Sequence, residues 1–451
     1  VKPESAPKKS GGRSCAERLF GVKSEWGSAS EYFIWRLWYT FSMRDPSPSH
    51  FFGLDIGTSA VRCVVGMIDG QDSHPSIIGH GSAPNLGMRR GAVVHIEDVV
   101  EAVIHAVTEA ERLSGVQIHN ATVNVNGSHV VGMNSKGVIA ISTANRQISN
   151  EDRLRAEEAA TIVKLPPNRE IIQVFAKNYR LDGQDNIKDP VGMQGVRLEV
   201  DTHIVTAASP NLKSLGLVLE KAHIKPSHYT VTSLAAAEAV LSRQQKESGT
   251  LLLDIGAGTT NLTVIEDGEV QHVAVLPLGG MHITNDLAIG LKTDLDIAEE
   301  VKLKHADLGP DSKIGSVSVV YEEKTHIFDA EDIRMITEAR VDEILEYVDK
   351  ELKKIHRSRK LPGGIVLVGG TANLPGIAEF AKEKLELATR VGALQPLSGL
   401  VDTVQDPAYA GSVGLMLLDM LFMPTDEQMV AGKPNEGIFG LIEGLLRRFK
   451  R

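Results

Sequence analysis

Cysteine is almost absent from this chain: Cys15 and Cys63 are its only two among 451 residues. Two thiols cannot staple a chain of this length, so a disulfide scaffold is excluded and a reducing cytosol fits best. An excess of basic charge is also missing. Lys and Arg number 48 against 58 Asp and Glu, a net charge of −10. That balance argues against a general nucleic-acid partner, whose electrostatic footprint is basic. No apolar run reaches the roughly 18 residues that a spanning helix needs, so membrane contact through the sequence must be peripheral. Tryptophan is scarce, and Trp26, Trp35 and Trp38 all fall before residue 50. Residues 1–49 read as Pro/Ser/Lys-rich coil around an aromatic patch, without the order of a signal peptide. The first methionine, Met43, stands just before the first clear strand. Residues 1–42 are therefore expected to derive from an upstream start; a genuine aromatic interaction segment is the alternative.

The remaining length is too great for one compact domain and implies two to four lobes, each with its own core. A strand, turn and strand are expected over 51–68, a helix over 96–114 and a strand over 121–126. Residues 133–212 read as a βαββ-like unit: strand 137–142, helix 150–163 with Asn150 as its cap, strands 171–179 and 196–207, and a loop over 181–195. Long helical stretches are expected over 283–305 and 332–356, then a strand and turn over 364–370 and helices over 376–387 and 408–421.

One pattern occurs twice. Asp55-Ile56-Gly57-Thr58-Ser59 and Asp254-Ile255-Gly256-Ala257-Gly258-Thr259-Thr260 each close an apolar strand. The copies lie about 200 residues apart, far beyond a solenoid repeat, and suggest two related halves that face each other. Glycine lets backbone N–H groups approach a phosphate without an intervening Cβ, and hydroxyls add donors. An aspartate there repels phosphate unless a cation stands between them, which points to a nucleotide with Mg²⁺ held through water by Asp55 and Asp254. Arg62, on the returning strand, adds positive charge. A third Gly-rich turn follows at Gly369-Gly370-Thr371. A lone Asp-Ile-Gly-Thr is more often an ordinary hairpin turn, whereas three such turns in this order are hard to obtain by chance.

This constellation resembles the actin/Hsp70/sugar-kinase superfamily, in which two lobes close over ATP and Mg²⁺. The resemblance makes residues 55–62 and 254–260 the two phosphate loops and 366–376 the adenosine loop. It implies a two-lobed α/β fold of duplicated ribonuclease-H-like domains. Glu299 and Lys302, one helical turn apart, resemble the adenosine-contacting pair of that fold; the plainer reading is a solvated ion pair. Within the superfamily the chain is most similar to FtsA, the actin-like bacterial cell-division family, over about residues 50–451. The stretch Pro277-Leu278-Gly279-Gly280-Met281, the insert at 133–212 and the C-terminal segment carry that similarity. It implies subdomain 1A at 50–132, completed by 213–249 and 399–423, and 1C at 133–212. It also implies 2A at 250–280, completed by 361–398, 2B at 281–360 and a linker at 424–436. It further implies self-association into filaments, an FtsZ C-terminal peptide on 2B, and other divisome proteins through 1C. Location at the septum, on the cytoplasmic face of the membrane, follows from the same resemblance.

Two departures matter. Family members often place lysine where this chain has Ala60, so Arg62 is expected to supply that charge. A residue that orients the attacking water is expected near the helix before the second phosphate loop, but Thr232 stands there, and threonine is a poor base. Glu238, nearly two turns on, is the nearest carboxylate, and an ordinary charge on the helix surface is an equal reading of it. ATP binding is thus expected, with slow or absent hydrolysis.

The last residues, 437–451, show a complete separation of character. On a helix, Ile438, Phe439, Leu441, Ile442, Leu445, Leu446 and Phe449 fall within an arc of about 160°. Glu443, Arg447, Arg448, Lys450 and Arg451 occupy the opposite side. A basic amphipathic helix behind a proline-containing linker suits the surface of an anionic membrane. A partner-binding helix, or a tail docked on its own core, shares part of the pattern. At the level of the whole protein two alternatives remain: PilM, an actin-like protein of type IV pilus machines, and a sugar or acetate kinase of the same superfamily.

Overall fold

The computed structural model describes residues 49–68, 75–142, 145–163, 165–310 and 315–422. Two sheets dominate. The first has six strands, in the order Lys225–Thr230, Asn120–Asn124, Ser49–Ile56, Ala60–Ile68, Ser76–Pro84 and Ser398–Gly399. The second has nine, in the order Thr389–Val391, Ile365–Val368, Thr250–Ile255, Thr260–Glu266, Glu269–Leu276, Val131–Ala140, Arg197–Ala208, Arg169–Leu181 and Gln184–Ile187.

The duplication inferred from the two Asp-Ile-Gly copies is visible in the pairing. The strand ending in Asp55-Ile56 runs parallel to Asn120–Asn124 on one side and neighbours Ala60–Ile68 on the other. The strand ending in Asp254-Ile255 runs parallel to Ile365–Val368 and antiparallel to Thr260–Glu266. In both sheets a further antiparallel strand follows, Ser76–Pro84 in one and Glu269–Leu276 in the other. Each aspartate thus sits at the carboxyl end of an internal strand. Every residue of Thr250–Ile255 is buried, as expected for a strand covered on both faces.

Helices cover these sheets for legible reasons. Ile96–Ser114 buries Val99, Val103, Ala106, Val107 and Ala110 at helical spacing, carries Glu97 and Asp98 in its first turn, and ends where Gly115 turns left-handed at φ 71°. Ala410–Phe422 lies on the first sheet at very short range: a Cβ on Gly53 would stand 2.2 Å from the Ser412 carbonyl oxygen. The same helix crosses Thr232–Val240 at Gly414, where a Cβ would meet the Ala235 oxygen at 1.9 Å. Asp419 fixes it further, accepting from Phe52 N at 3.0 Å and from Thr122 Oγ1 at 2.8 Å.

The inserted unit is three strands, with Arg197–Ala208 antiparallel to and between Val131–Ala140 and Arg169–Leu181, extended by Gln184–Ile187, with the helix Asn150–Thr161 on one face. It has its own core around Ile148, Leu198, Val200 and Ile204. Its first strand joins the second sheet at one register pair, Val131 with Ala274. His203 strengthens this seam. Its Nε2 accepts from Val273 N at 3.0 Å, and its Nδ1–H donates to Asn134 Oδ1 at 2.8 Å.

Several expectations need correction. The helix Asn150–Thr161 is capped by Ser149, not Asn150; Ser149 Oγ accepts from Asp152 N while Asp152 returns a bond to the Ser149 backbone. The expected loop 181–195 contains the strand Gln184–Ile187. The single helix over 283–305 is two, Gly280–Leu291 and Leu295–His305, divided where Lys292 adopts φ 53°. The strands Ser76–Pro84 and Glu269–Leu276 and the hairpin Ser316–Tyr321/Lys324–Asp329 were not anticipated.

Candidate functional site

The two Asp-Ile-Gly turns have the same backbone. Gly57 N donates to the Ala60 oxygen at 3.0 Å, and Gly256 N donates to the Thr259 oxygen at 2.9 Å. Each turn therefore closes through its glycine. Among the described residues, the N–H groups of Thr58, Ser59, Ala257 and Gly258 make no backbone hydrogen bond. The turns face each other: a Cβ on Gly258 would lie 2.8 Å from Thr58 Oγ1.

Asp55 and Asp254 are both buried at this junction. Burial pushes Asp55 up to about 6, opposed by the Arg62 charge and by Asn124, whose Nδ2 donates to Asp55 Oδ1 at 2.5 Å. Burial pushes Asp254 up to about 7, and the Asp55 charge adds to it; Asn261 Nδ2 donates to Asp254 Oδ2 at 2.9 Å. Each carboxylate thus has an asparagine partner, a parallel that the sequence comparison missed. The signal was present in Asn124 and Asn261, at the end and the start of neighbouring strands. Arg62 is partly buried, stacks over Tyr409 at 5.2 Å, and leaves its Nε without a hydrogen-bond partner.

The third turn joins this group. Gly369, at φ 86°, packs so closely that a Cβ would meet Asp254 Oδ1 at 2.4 Å. Thr371 Oγ1 donates to the Gly256 oxygen at 3.2 Å, and Gly370 borders open space. Gly280 N and Met281 N donate to the Gly256 and Ala257 oxygens at 2.9 and 2.8 Å. Glu299 and Lys302 reach the same place: Lys302 Nζ lies 2.6 Å from Glu299 Oε2, 2.9 Å from Thr284 Oγ1 and 3.4 Å from the Gly280 oxygen. They form an ion pair, and it stands at the junction of the second and third turns rather than on a remote solvated face.

Thr260 departs from expectation, Thr232 stands beside the Asp55 partner as expected, and Glu238 follows the plainer of its two readings. Thr260 donates its hydroxyl proton to the Leu278 oxygen at 2.9 Å, so it shapes the backbone instead of offering a free donor. Thr232 Oγ1 accepts from Asn126 Nδ2 at 2.6 Å and from Asn124 Nδ2 at 3.2 Å, which ties it to the Asp55 partner. Glu238 is not brought to the turns: Lys246 Nζ holds it at 2.8 Å, towards the other end of the helix that Thr232 begins. Its helical spacing from Thr232 turned it towards the segment that follows.

A divalent cation and a polyphosphate fit this arrangement. Two buried carboxyl groups repel each other with no cation between them, four backbone N–H groups of the two turns have no backbone partner among the described residues, and the Arg62 Nε is unmatched. The tail residues Ile438, Phe439, Leu441, Ile442, Leu445, Leu446, Arg447, Arg448, Phe449, Lys450 and Arg451 lie outside the described residues, as do residues 1–48. Among the described residues no helix is long and apolar enough to cross a membrane.

Comparison with known proteins gives the family. The family described as Cell division protein FtsA matches residues 251–414, and the SHS2 domain inserted in FTSA matches 127–206. Cell division protein FtsA of Bacillus subtilis is 38% identical over 370 residues, covering 81% of this chain and 82% of its own length. The protein of the same name from Pseudomonas aeruginosa is 34% identical over 372 residues, covering 81% and 88%. That from Escherichia coli K12 is 30% identical over 376 residues, covering 81% and 89%. Among solved structures, a PilM-PilN type IV pilus biogenesis complex aligns with a TM-score of 0.59 at 18% identity, over 83% of this chain and 99% of that one. That likeness concerns the fold alone. The fold is the two-lobed actin-like α/β architecture with an FtsA-type insert, and the chain belongs to the FtsA family of cell-division proteins.

Proposed function

We propose that the chain binds ATP with Mg²⁺ between its two glycine turns, assembles into filaments, and holds FtsZ at the cytoplasmic face of the membrane at the septum. The observation that carries the nucleotide part is the buried pair Asp55 and Asp254, raised to about 6 and about 7 beside free backbone donors. Mg²⁺ would neutralise charge between these carboxylates and the phosphates. The N–H groups of Thr58, Ser59, Ala257 and Gly258 would orient the phosphates, and Gly369, Gly370, Thr371, Glu299 and Lys302 would border the adenosine. Thr232 is held by two asparagines and is no general base, so turnover is slow and ATP sets the state of the protein more than it drives it.

The partner assignments rest on family membership, surface and sequence. Residues 281–360 carry Ile289, Leu303, Val320, Ile327 and Met335 exposed, apolar surface of the kind that peptide partners cover. The basic amphipathic segment 437–451 is the membrane contact, and assembly would multiply its weak individual affinity. The inserted unit is the surface offered to other divisome proteins. The test is co-sedimentation with anionic liposomes, with and without MgATP and the FtsZ C-terminal peptide. Leu445→Asp, or truncation after Glu436, is expected to release the protein while nucleotide binding persists. Liposome binding that survives both changes would remove the tail from this role. Calorimetric titration with MgATP that shows no heat and no saturation would remove the nucleotide.

A further inference from the structure

The segment between the strand Ser76–Pro84 and the helix Ile96–Ser114 forms a small hairpin, Met88–Arg89 against Ala92–Val93, with Met88 opposite Val93 and Arg89 opposite Ala92. Its two-residue tip is Arg90-Gly91, at φ 50° and 76°. Two consecutive left-handed residues are the pattern of a type I′ turn, which favours Asn-Gly and gives arginine no backbone advantage.

This tip is fastened to the first phosphate-type turn. Gly91 N donates to Thr58 Oγ1 at 3.1 Å, and a Cβ on Gly91 would lie 2.7 Å from the Gly127 backbone. Asn85, which opens the segment, donates from its Nδ2 to the Gly57 oxygen at 2.8 Å and from its N to the Ser59 oxygen at 2.9 Å. Thr58 in turn faces Gly258 of the second lobe. Arg90 therefore stands where the two lobes meet. Burial lowers the imidazole of His282, in the first turn of Gly280–Leu291 across the junction, and the Arg90 charge lowers it further. The Arg90 side chain is exposed and, among the described residues, its guanidinium has no hydrogen bond or ion pair.

We infer that Arg90 is a cross-cleft phosphate ligand that engages the outermost phosphate of a nucleoside triphosphate held between the two turns, so that the chain distinguishes triphosphate from diphosphate. This rests on the nucleotide reading proposed above. Guanidinium suits the role because its planar fork of donors matches a terminal phosphate, and the tight turn fixes where that fork begins. Arg62 serves a different part of the site: it is stacked on Tyr409 and partly buried, whereas Arg90 is exposed at the tip of the turn bound to Thr58.

The experiment compares the full chain with Arg90→Asn, which preserves the left-handed tip, and with Arg90→Lys, each titrated with MgATP and with MgADP. Arg90→Asn is expected to lower ATP affinity about tenfold and to change ADP affinity less than twofold. Arg90→Lys is expected to fall between, and the melting temperature without nucleotide to stay unchanged. If Arg90→Asn leaves the ratio of ATP to ADP affinity as it was, the assignment is wrong, whatever happens to either affinity alone. A wild-type protein that binds neither nucleotide overturns the nucleotide reading and this inference with it. A wild-type protein that binds both, with the ratio unmoved in the variants, overturns this inference alone.

Discussion

Gly258 and Thr58 meet across the junction of the two lobes with room for a hydrogen but not for a methyl group, since a Cβ on Gly258 would lie 2.8 Å from the Thr58 hydroxyl and 2.9 Å from its methyl. Gly258→Val is therefore expected to hold the turns apart and to lower MgATP affinity about tenfold, in line with the usual cost of overpacking. Thr58→Ala in the same chain should recover part of the loss. A double-mutant cycle measured by nucleotide titration checks the coupling; strictly additive effects would mean that the two residues do not oppose each other.

The paired carboxyl groups set a pH dependence. Asp55 at about 6 and Asp254 at about 7 bind protons in the folded state where an unfolded aspartate, near 3.8, does not. The native state thus holds more protons between about pH 4 and 7, and stability falls as pH rises through that window. The Asp55 shift alone corresponds to roughly 3 kcal/mol, at about 1.4 kcal/mol per pH unit. Denaturant unfolding without nucleotide or Mg²⁺ should show the wild type losing stability from pH 5 to pH 8, and Asp55→Asn losing less. MgATP affinity should rise over the same interval as the carboxylates ionise.

Neighbouring glycines in the third turn should respond oppositely to alanine. Gly369 is left-handed, and its missing Cβ would collide with Asp254 and with the Ile255 oxygen, whereas Gly370 has nothing within 4 Å of that position. Gly369→Ala is expected to destabilise by about 2 kcal/mol or more, and Gly370→Ala by less than about 0.5 kcal/mol. Thermal melts of the two variants decide the matter.

His203 joins the inserted unit to the second sheet with both ring nitrogens engaged, and burial holds it down to about 3. His203→Phe would leave Val273 N and Asn134 Oδ1 without these partners, at a cost of about 1–3 kcal/mol. Because the folded imidazole titrates below its ordinary value, its contribution to stability is lost as pH falls from about 6.5 towards 3. Hydrogen exchange at Val273 should quicken in the variant and, in the wild type, on acidification; protection unchanged in the variant would argue that this bond does not hold the seam.

Much of the candidate site was legible because it is built from local backbone chemistry. Asp-Ile-Gly followed by small residues specifies its own turn, so both copies could be read without knowing their partners. What escaped was long-range or backbone-atypical. Asn124 and Asn261 become partners of the aspartates only once the strands are paired. The tip at Arg90-Gly91 lacks the Asn-Gly signature because its first residue is arginine. Glu238 stays open between two readings in the sequence because spacing along a helix does not reveal which neighbour, here Lys246, will claim the side chain. The break at Lys292 was hidden by an apolar rhythm that continues on both sides of it.

The nine-stranded sheet also has a mechanical meaning. The chain enters and leaves the inserted unit from the first lobe, yet the unit adheres to the second through Val131–Ala274 and His203–Val273. A tug on the insert would therefore bear on the strand Glu269–Leu276 at Val273 and Ala274. That strand runs on to Leu278, which Thr260 grips, and to Gly279 and Gly280, which lie against the second turn. Tension applied at a distant surface would thus arrive at the backbone beside the second glycine turn.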